Sequence, residues 1–530
     1  MNSTKELLIK IKDAALHNAI AAKDIPIRDI KDATLAEYYS IINDTEKHQN
    51  ELLSLYNDIE AISDNETNLD IIMHFLDKMI NHLIYLDYLN VHHIPEILPD
   101  DISPENQYIH YLELADYYAD INQYQTYLCM ENAYFHCKNE SIRNNILNNM
   151  NIYKKENNIN INKTSIVIVS YNNLYLMQQC IYSIRKHCFK GTYEIVVVDN
   201  ASTDGVTEWL ETQKDIILIK NSTNYGFPKG CNIGISHCNE NNDVFLLNND
   251  TRLTPNSLFW LRMGLYDSND TGATGAVNNY NGTIEYINLP YNSVEDYERF
   301  GYVNNQFKEK PFENCTFLCG FAMLIKKQAL MQTNLLDEKL SPGYYDDDDI
   351  SFQLINKGYL LKVCHNSFIY HAGSQSFKKM DLNKVHDIYA KNRKYLTQKW
   401  GFSPEDVRVN MDLESHINQL PDDSLHILEI NAHNGANYEH LKYIYPDMKY
   451  LGMEQNSHYL NCAAKNAPII CCDYMQYDYT PYYKTMDYII VNDFNLFTDM
   501  QKESLQRILA PVIKSTGQIL FINKIISEQI

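Results

Sequence analysis

No apolar run in this chain of 530 residues approaches the ~20 residues a helix needs to cross a bilayer. Its first residues, MNSTKELLIKIKDAALHN, are amphipathic and lack the continuous apolar centre of a secretory leader. A surplus of cations is missing as well. The 45 Lys+Arg stand against 68 Asp+Glu, a formal net charge of −23, which argues against nucleic acid or an anionic membrane surface as the main partner. Zinc spacing and a disulfide framework are absent too: the 12 Cys are scattered, and the adjacent pair Cys471–Cys472 has no CxxC partner. That usage fits a reducing compartment, so the expected location is cytoplasmic.

What is present describes an ordinary globular chain. Hydrophobic content of 45% with 21% charged residues argues against wholesale disorder. The length exceeds one comfortable core and predicts two to four domains. Residues 1–160 carry helical periodicity, as in the runs beginning near Leu7 and Leu69, and the stretch near 111–137 reads as a tetratricopeptide-like helical hairpin. An Asn-rich linker, Lys154 to Lys163, follows. From 164 to 402 strands alternate with helices: SIVIVS, EIVVVD, IILIK and DVFLLN read as strands, with a helix after each of the first three. A second α/β pattern occupies 420–530, with strands at LHILEI, YLGME, PIICCD, MDYIIVND and GQILFIN.

The chemistry concentrates where apolar strands stop at polar groups. Parallel strands are buried on both faces, and their C-terminal ends line the ligand crevice of an open α/β sheet. EIVVVD ends at Asp199, and DVFLLNND ends at Asn248, Asn249 and Asp250, which offer oxygen ligands to a hard divalent cation. SIVIVSYNN turns at Ser170, Tyr171 and Asn172, where backbone and amide can meet a base or ribose. NYGFPKGCNIGI brings Asn224, Gly226 and Lys229 to a loop-to-helix junction suited to a diphosphate. YYDDDDISF opens a helix with Asp346, Asp347, Asp348 and Asp349. Four adjoining carboxylates repel one another and ask for a cation or for one member held protonated. His371 closes the apolar run FIYH. Lys391, Arg393 and Lys394 read as an exposed helix face.

In this order, Thr164 to about Trp400 resembles the family 2 glycosyltransferases of GT-A fold. The resemblance implies that Ser170, Tyr171, Asn172, Asp199, Asn224, Gly226, Lys229, Asn248 and Asn249 contact the nucleotide-sugar donor. It implies that Asp250 and His371 hold Mn2+ or Mg2+. The family's Glu-Asp pair falls on Asp346 and Asp347, the second being the base for the acceptor hydroxyl. The implied reaction is a single displacement with inversion from a UDP- or dTDP-linked sugar. Two departures stand out: Asn248 replaces the first Asp of Asp-x-Asp, and Asp346 replaces Glu. Asp348 and Asp349 leave the register open by one residue.

LHILEINAHNGANYEHL resembles the first motif of class I S-adenosylmethionine methyltransferases, with Glu454 and Asp473 at the acidic positions of the next two strands. Asn431 and His433 stand where that family has Gly, and Gly435 alone remains. The expected whole is therefore an α/β protein: an all-α N-terminal domain, a GT-A core, and a Rossmann-like, degenerate methyltransferase-type domain not expected to use S-adenosylmethionine. The expected acceptor is a protein, such as flagellin, or a surface glycan, and a homo-oligomer is compatible with this organisation. The competing readings are a bifunctional glycosyltransferase/methyltransferase and a non-catalytic scaffold with a dead transferase core.

Overall fold

The computed structural model describes residues 107–523 except 281, 283, 290, 292, 374–380 and 418–423. The helices expected near Leu7 and Leu69 lie outside the described residues. So do part of the stretch after His371 and the 420 boundary.

The apolar runs form strands where expected: β1 (Thr164–Ser170), β2 (Tyr193–Asp199), β3 (Ile216–Lys220) and β4 (Asp243–Leu247). Five shorter or longer strands complete the sheet: β5 (Thr251–Leu253), β6 (Thr271–Val277), β7 (Phe312–Cys315), β8 (Ala322–Ile325) and β9 (Leu360–His371). The order is β3-β2-β1-β4-β8-β6-β9-β5, with β7 also paired to β9, across from β6. β1 to β4 run parallel, and β8 lies antiparallel between β4 and β6. Helices Leu174–His187, Val206–Glu211 and Phe227–Ser236 follow β1, β2 and β3. The last of these lies close on the sheet because it carries glycine at the contact; a Cβ at Gly230 would come within 2.8 Å of Val169 Cγ1.

One pairing positions the site. β5 starts directly after Asp250 and runs antiparallel to the end of β9, with Thr251 opposite His371. The Ala372 amide donates to the Asp250 carbonyl at 2.9 Å. Two residues far apart in the chain thus become neighbours.

Helices Gln107–Tyr118 and Gln123–His136 form a hairpin, and Glu140–Glu156 follows. Asn122 caps the second helix, accepting from the Tyr124 and Gln125 amides. Its own amide group donates to the Tyr266 and Asp267 carbonyls at 3.1 and 2.8 Å. Leu128, Cys129 and Ala133 share one hydrophobic cluster with Ile166, Phe259 and Trp260. From 107 onward the helices are therefore part of the packing around the larger sheet.

The C-terminal sheet comprises β10 (His426–Ile430), β11 (Lys449–Glu454), β12 (Ile469–Cys471), β13 (Met486–Val491) and β14 (Ile513–Phe521). It is wholly parallel, ordered β12-β11-β10-β13-β14. It packs firmly on the larger sheet: Tyr459 and Cys462 belong to the cluster that holds Met323, Phe352 and Phe368.

Candidate active site

A cleft of about 510 Å³ opens at the C-terminal ends of the parallel strands. Its lining includes Tyr171, Asn224, Gly226, Asn248, Asn249, Asp250, Asp346, Asp347 and His371. The position follows from the fold, because strand ends at the change of strand order leave a crevice.

Asp250 and His371 are 7% and 4% exposed, with His371 Nε2 3.3 Å from Asp250 Oδ1. The imidazole is fixed by rings on two sides: Phe321 stacks on it at 5.1 Å, and Tyr280 meets it edge-on at 5.3 Å. Asn248 Nδ2 lies 3.5 Å from the same Nε2. His371 Nδ1 and Asn249 Nδ2 are buried with no hydrogen-bond partner among the described residues. Among the described residues no group of three or more His, Cys, Asp or Glu side chains forms a metal cluster. The chain thus offers one carboxylate and one imidazole here. With donor phosphate and water oxygens completing the shell, that set suits Mn2+ or Mg2+, which bind through few protein ligands. Asn248 fits only as a neutral neighbour.

The four successive aspartates separate into four environments at the start of helix Asp346–Asn356. Asp349 is fully buried, is paired with the Lys399 ammonium at 2.8 Å and accepts from the Trp400 indole N–H at 2.9 Å. Asp348 pairs with Arg408 at 2.5 Å; burial pushes its carboxyl up to about 7 despite that guanidinium. Asp346 is buried at the cleft wall, and burial together with Asp347 raises its pKa well above the ordinary range. Asp347 alone is partly exposed. Its Oδ2 accepts from the Gly320 amide at 3.0 Å and its Oδ1 from the Asp348 amide at 3.1 Å. Gly320 lies close against this side chain: a Cβ there would stand 3.1 Å from Asp347 Cβ. An oriented carboxylate open to a cleft can accept a proton from an incoming hydroxyl.

Other residues lie elsewhere than expected. Asp199 is buried below the cleft; it accepts from the Thr207 hydroxyl at 2.6 Å and the Ser202 amide at 3.3 Å. Side chains alternate along a strand, so its successor Asn200 reaches the lining instead. Ser170 is fully buried, with its Oγ unpartnered among the described residues. Asn172, in left-handed conformation at φ 59°, accepts from the Thr203 amide at 2.9 Å and braces the turn. Lys229 sits on an outward helix face, 4.7 Å above the Tyr225 ring and 3.6 Å from Glu338. Gly226 does line the cleft, with φ 83° and Pro342 so close that a Cβ would fall 2.8 Å from its Cα.

Two charged residues escaped sequence reasoning. Glu285 is fully buried, and both its oxygens accept from the Cys319 amide, at 3.0 and 3.1 Å. It thereby holds the turn that presents Gly320 to Asp347. Arg408 enters the cleft from the segment after the core. A lone Glu among turn residues and an Arg beyond the last helix gave no pattern to read.

At the C-terminal sheet, the residues after β10 and β11 bond to one another. Glu454 accepts from the His433 and Asn456 amides at 3.0 and 2.8 Å. The His433 ring packs on Tyr459 at 4.9 Å and reaches Asp493 at 3.1 Å. Asn431 and His433 hold left-handed backbone at φ 53° and 50°, a conformation glycine adopts at no cost. Asp473 accepts from Gln455, Met475 and Gln476.

Residues 165–333 match the family model for glycosyl transferase family 2. No curated protein sequence matches the chain. Similar solved structures include the mannosyltransferase PcManGT from Pyrobaculum calidifontis in complex with GDP-Man and Mn2+, at 18% identity and TM-score 0.32, covering 41% of this chain and 58% of that one. GalNAc-T7 with UDP, GalNAc and Mn2+ is 15% identical with TM-score 0.37, covering 47% and 49%. S. aureus TarS 1–349 is 17% identical with TM-score 0.31, covering 49% and 79%. The chain spans less than two thirds of the first two. Residues 165–333 thus form a stretch similar to glycosyl transferase family 2, about a third of the chain.

Proposed function

We propose that the protein is a metal-dependent inverting glycosyltransferase that moves a sugar from a nucleotide-diphosphate donor to a hydroxyl of a protein or surface glycan, in the cytoplasm. One observation carries this reading: Asp250 with His371, and Asp347 with its two amide donors, line one cleft whose other wall belongs to residues 165–333, the stretch similar to family 2.

Tyr171, Asn200, Asn224 and Gly226 form the end of the cleft suited to the nucleoside. Asp250 and His371 would hold Mn2+ or Mg2+, which when bound supplies positive charge for the departing diphosphate. An opposite charge pair about 4 Å apart contributes roughly 4 kcal/mol at an effective dielectric near 20. Asp347 takes the proton of the acceptor hydroxyl as that oxygen attacks the anomeric carbon from the face opposite the leaving group. The Gly320 and Asp348 amides keep its oxygens aimed during the step. The raised proton affinity of Asp346 keeps a second charge off the same wall. The C-terminal sheet supports this site.

The test is a thermal-shift screen of UDP-, dTDP- and GDP-sugars with Mn2+ on the full chain. A ligand at a hundred times its Kd adds about 2.7 kcal/mol. Stabilisation by one donor class that disappears in EDTA and in Asp250→Ala supports the reading. A donor shift that is the same in EDTA and in Asp250→Ala contradicts it.

A further inference from the structure

The segment from Gly401 to Asp412 joins the two sheets and is gripped from both sides. From the C-terminal domain, Tyr459 stacks on Phe402 at 4.6 Å and donates its hydroxyl to Asp406 at 2.8 Å. Asn437 accepts from the Asn410 amide at 2.8 Å. From the transferase core, Arg393 pairs with Glu405 at 3.0 Å, and the Tyr345 hydroxyl donates to the same carboxylate. Between these grips lies Arg408. Its guanidinium carbon is 3.7 Å from the centre of the Phe317 ring, and Nη2 meets Asp348 Oδ1 at 2.5 Å. Phe317, Asp348 and Arg408 all line the cleft. Among its described lining residues, Arg408 is the one Lys or Arg set against Asp250, Asp346, Asp347 and Asp348.

We propose that the C-terminal domain completes the transferase site by locking this segment, so that Arg408 acts as a positioning residue for Asp347. The inference rests on the reading of Asp347 as the base. The path is short and contiguous. The Asp348 amide is one of the two donors that orient Asp347, and pinning the Asp348 side chain fixes the helix turn that carries both. The groups facing Asp347 are Gly320, Asp346, Asp348, Glu285 and Arg408, and the guanidinium offsets one carboxylate among them. Lysine cannot reproduce a flat group that stacks on a ring while pairing through one edge.

The test uses the full chain, measuring donor affinity by calorimetry and transfer by nucleotide release. Arg408→Ala is expected to lower kcat roughly 10- to 100-fold, as misplacement of a reacting group does, while donor Kd stays within about threefold. Added guanidinium ion is expected to restore part of the loss, and Arg408→Lys to fall between. Tyr459→Phe removes one hydroxyl in the other domain and is expected to lower kcat about three- to tenfold, again at constant donor Kd. Wild-type kcat in Arg408→Ala would overturn the proposal, as would a loss that guanidinium does not relieve or that follows donor affinity. The two readings separate cleanly: an active Asp347→Asn refutes the base, whereas an inactive Asp347→Asn beside a fully active Arg408→Ala refutes only the positioning role.

Discussion

Glu285→Gln isolates the cost of keeping a carboxyl in the floor of the cleft. Glu285 is fully buried, and burial, with a smaller push from Asp347, raises its pKa from 4.5 to about 8. Between those values the unfolded chain has released a proton that the folded chain still holds. Stability therefore falls as pH rises through that window and is undiminished by this group below pH 4.5. At 1.36 kcal/mol per pKa unit, the loss between pH 5 and pH 8 is about 3 kcal/mol. Glutamine keeps an acceptor for the Cys319 amide and does not titrate. Chemical denaturation of both proteins across that range is expected to show the wild type losing about 3 kcal/mol relative to the variant. Curves that run parallel from pH 5 to pH 8 would refute the reasoning.

Docking of the C-terminal domain carries a sensitivity of the same sign, set over a higher range of pH. Burial opposes the charged form of His440, yet Glu313 and Glu414, each at 2.6 Å, raise its pKa from 6.5 to about 9. A raised histidine contributes fully below pH 6.5 and loses that contribution as pH climbs through 9, about 3 kcal/mol in all. The hydrogen-exchange protection of helix Ala436–Ile444, taken relative to intrinsic exchange at each pH, is expected to fall over that range in the wild type and to be flat in His440→Gln. Lys399→Met leaves Asp349 buried without its cation and is expected to destabilise by roughly 3 kcal/mol, read as a fall in Tm; an unchanged Tm contradicts the pairing.

Much of the scaffold was readable because its strands are buried on both faces. β1 to β4 begin and end within a residue of the apolar runs that announce them. β5 and β7 carried no such signal: TRL and FENC are short and partly polar. The N-terminal helices read as a domain apart because periodicity shows that a helix has an apolar face without showing what covers it. At the site, Asp250, His371, Asp346 and Asp347 were nameable from order along the chain, whereas their meeting depends on the β5–β9 register. The run of four aspartates announced a need for compensation but not its source. Lys399 and Arg408 come from beyond the helix, and which carboxylate stays open depends on how that helix sits. Strand alternation decided between Asp199 and Asn200, and one residue of phase is invisible without the neighbouring loops. Lys229 was drawn toward a diphosphate by its glycine neighbours, which serve helix-on-sheet packing at Gly230 and Gly234.

The central claim is that Asp347 performs the proton transfer in a cleft where other groups hold the donor. Donor turnover and donor affinity measured together on Asp347→Asn test it most directly. The account predicts that affinity for the nucleotide sugar with Mn2+ stays near wild type, while turnover falls by roughly 10²- to 10⁴-fold. Turnover within a few fold of wild type would contradict it.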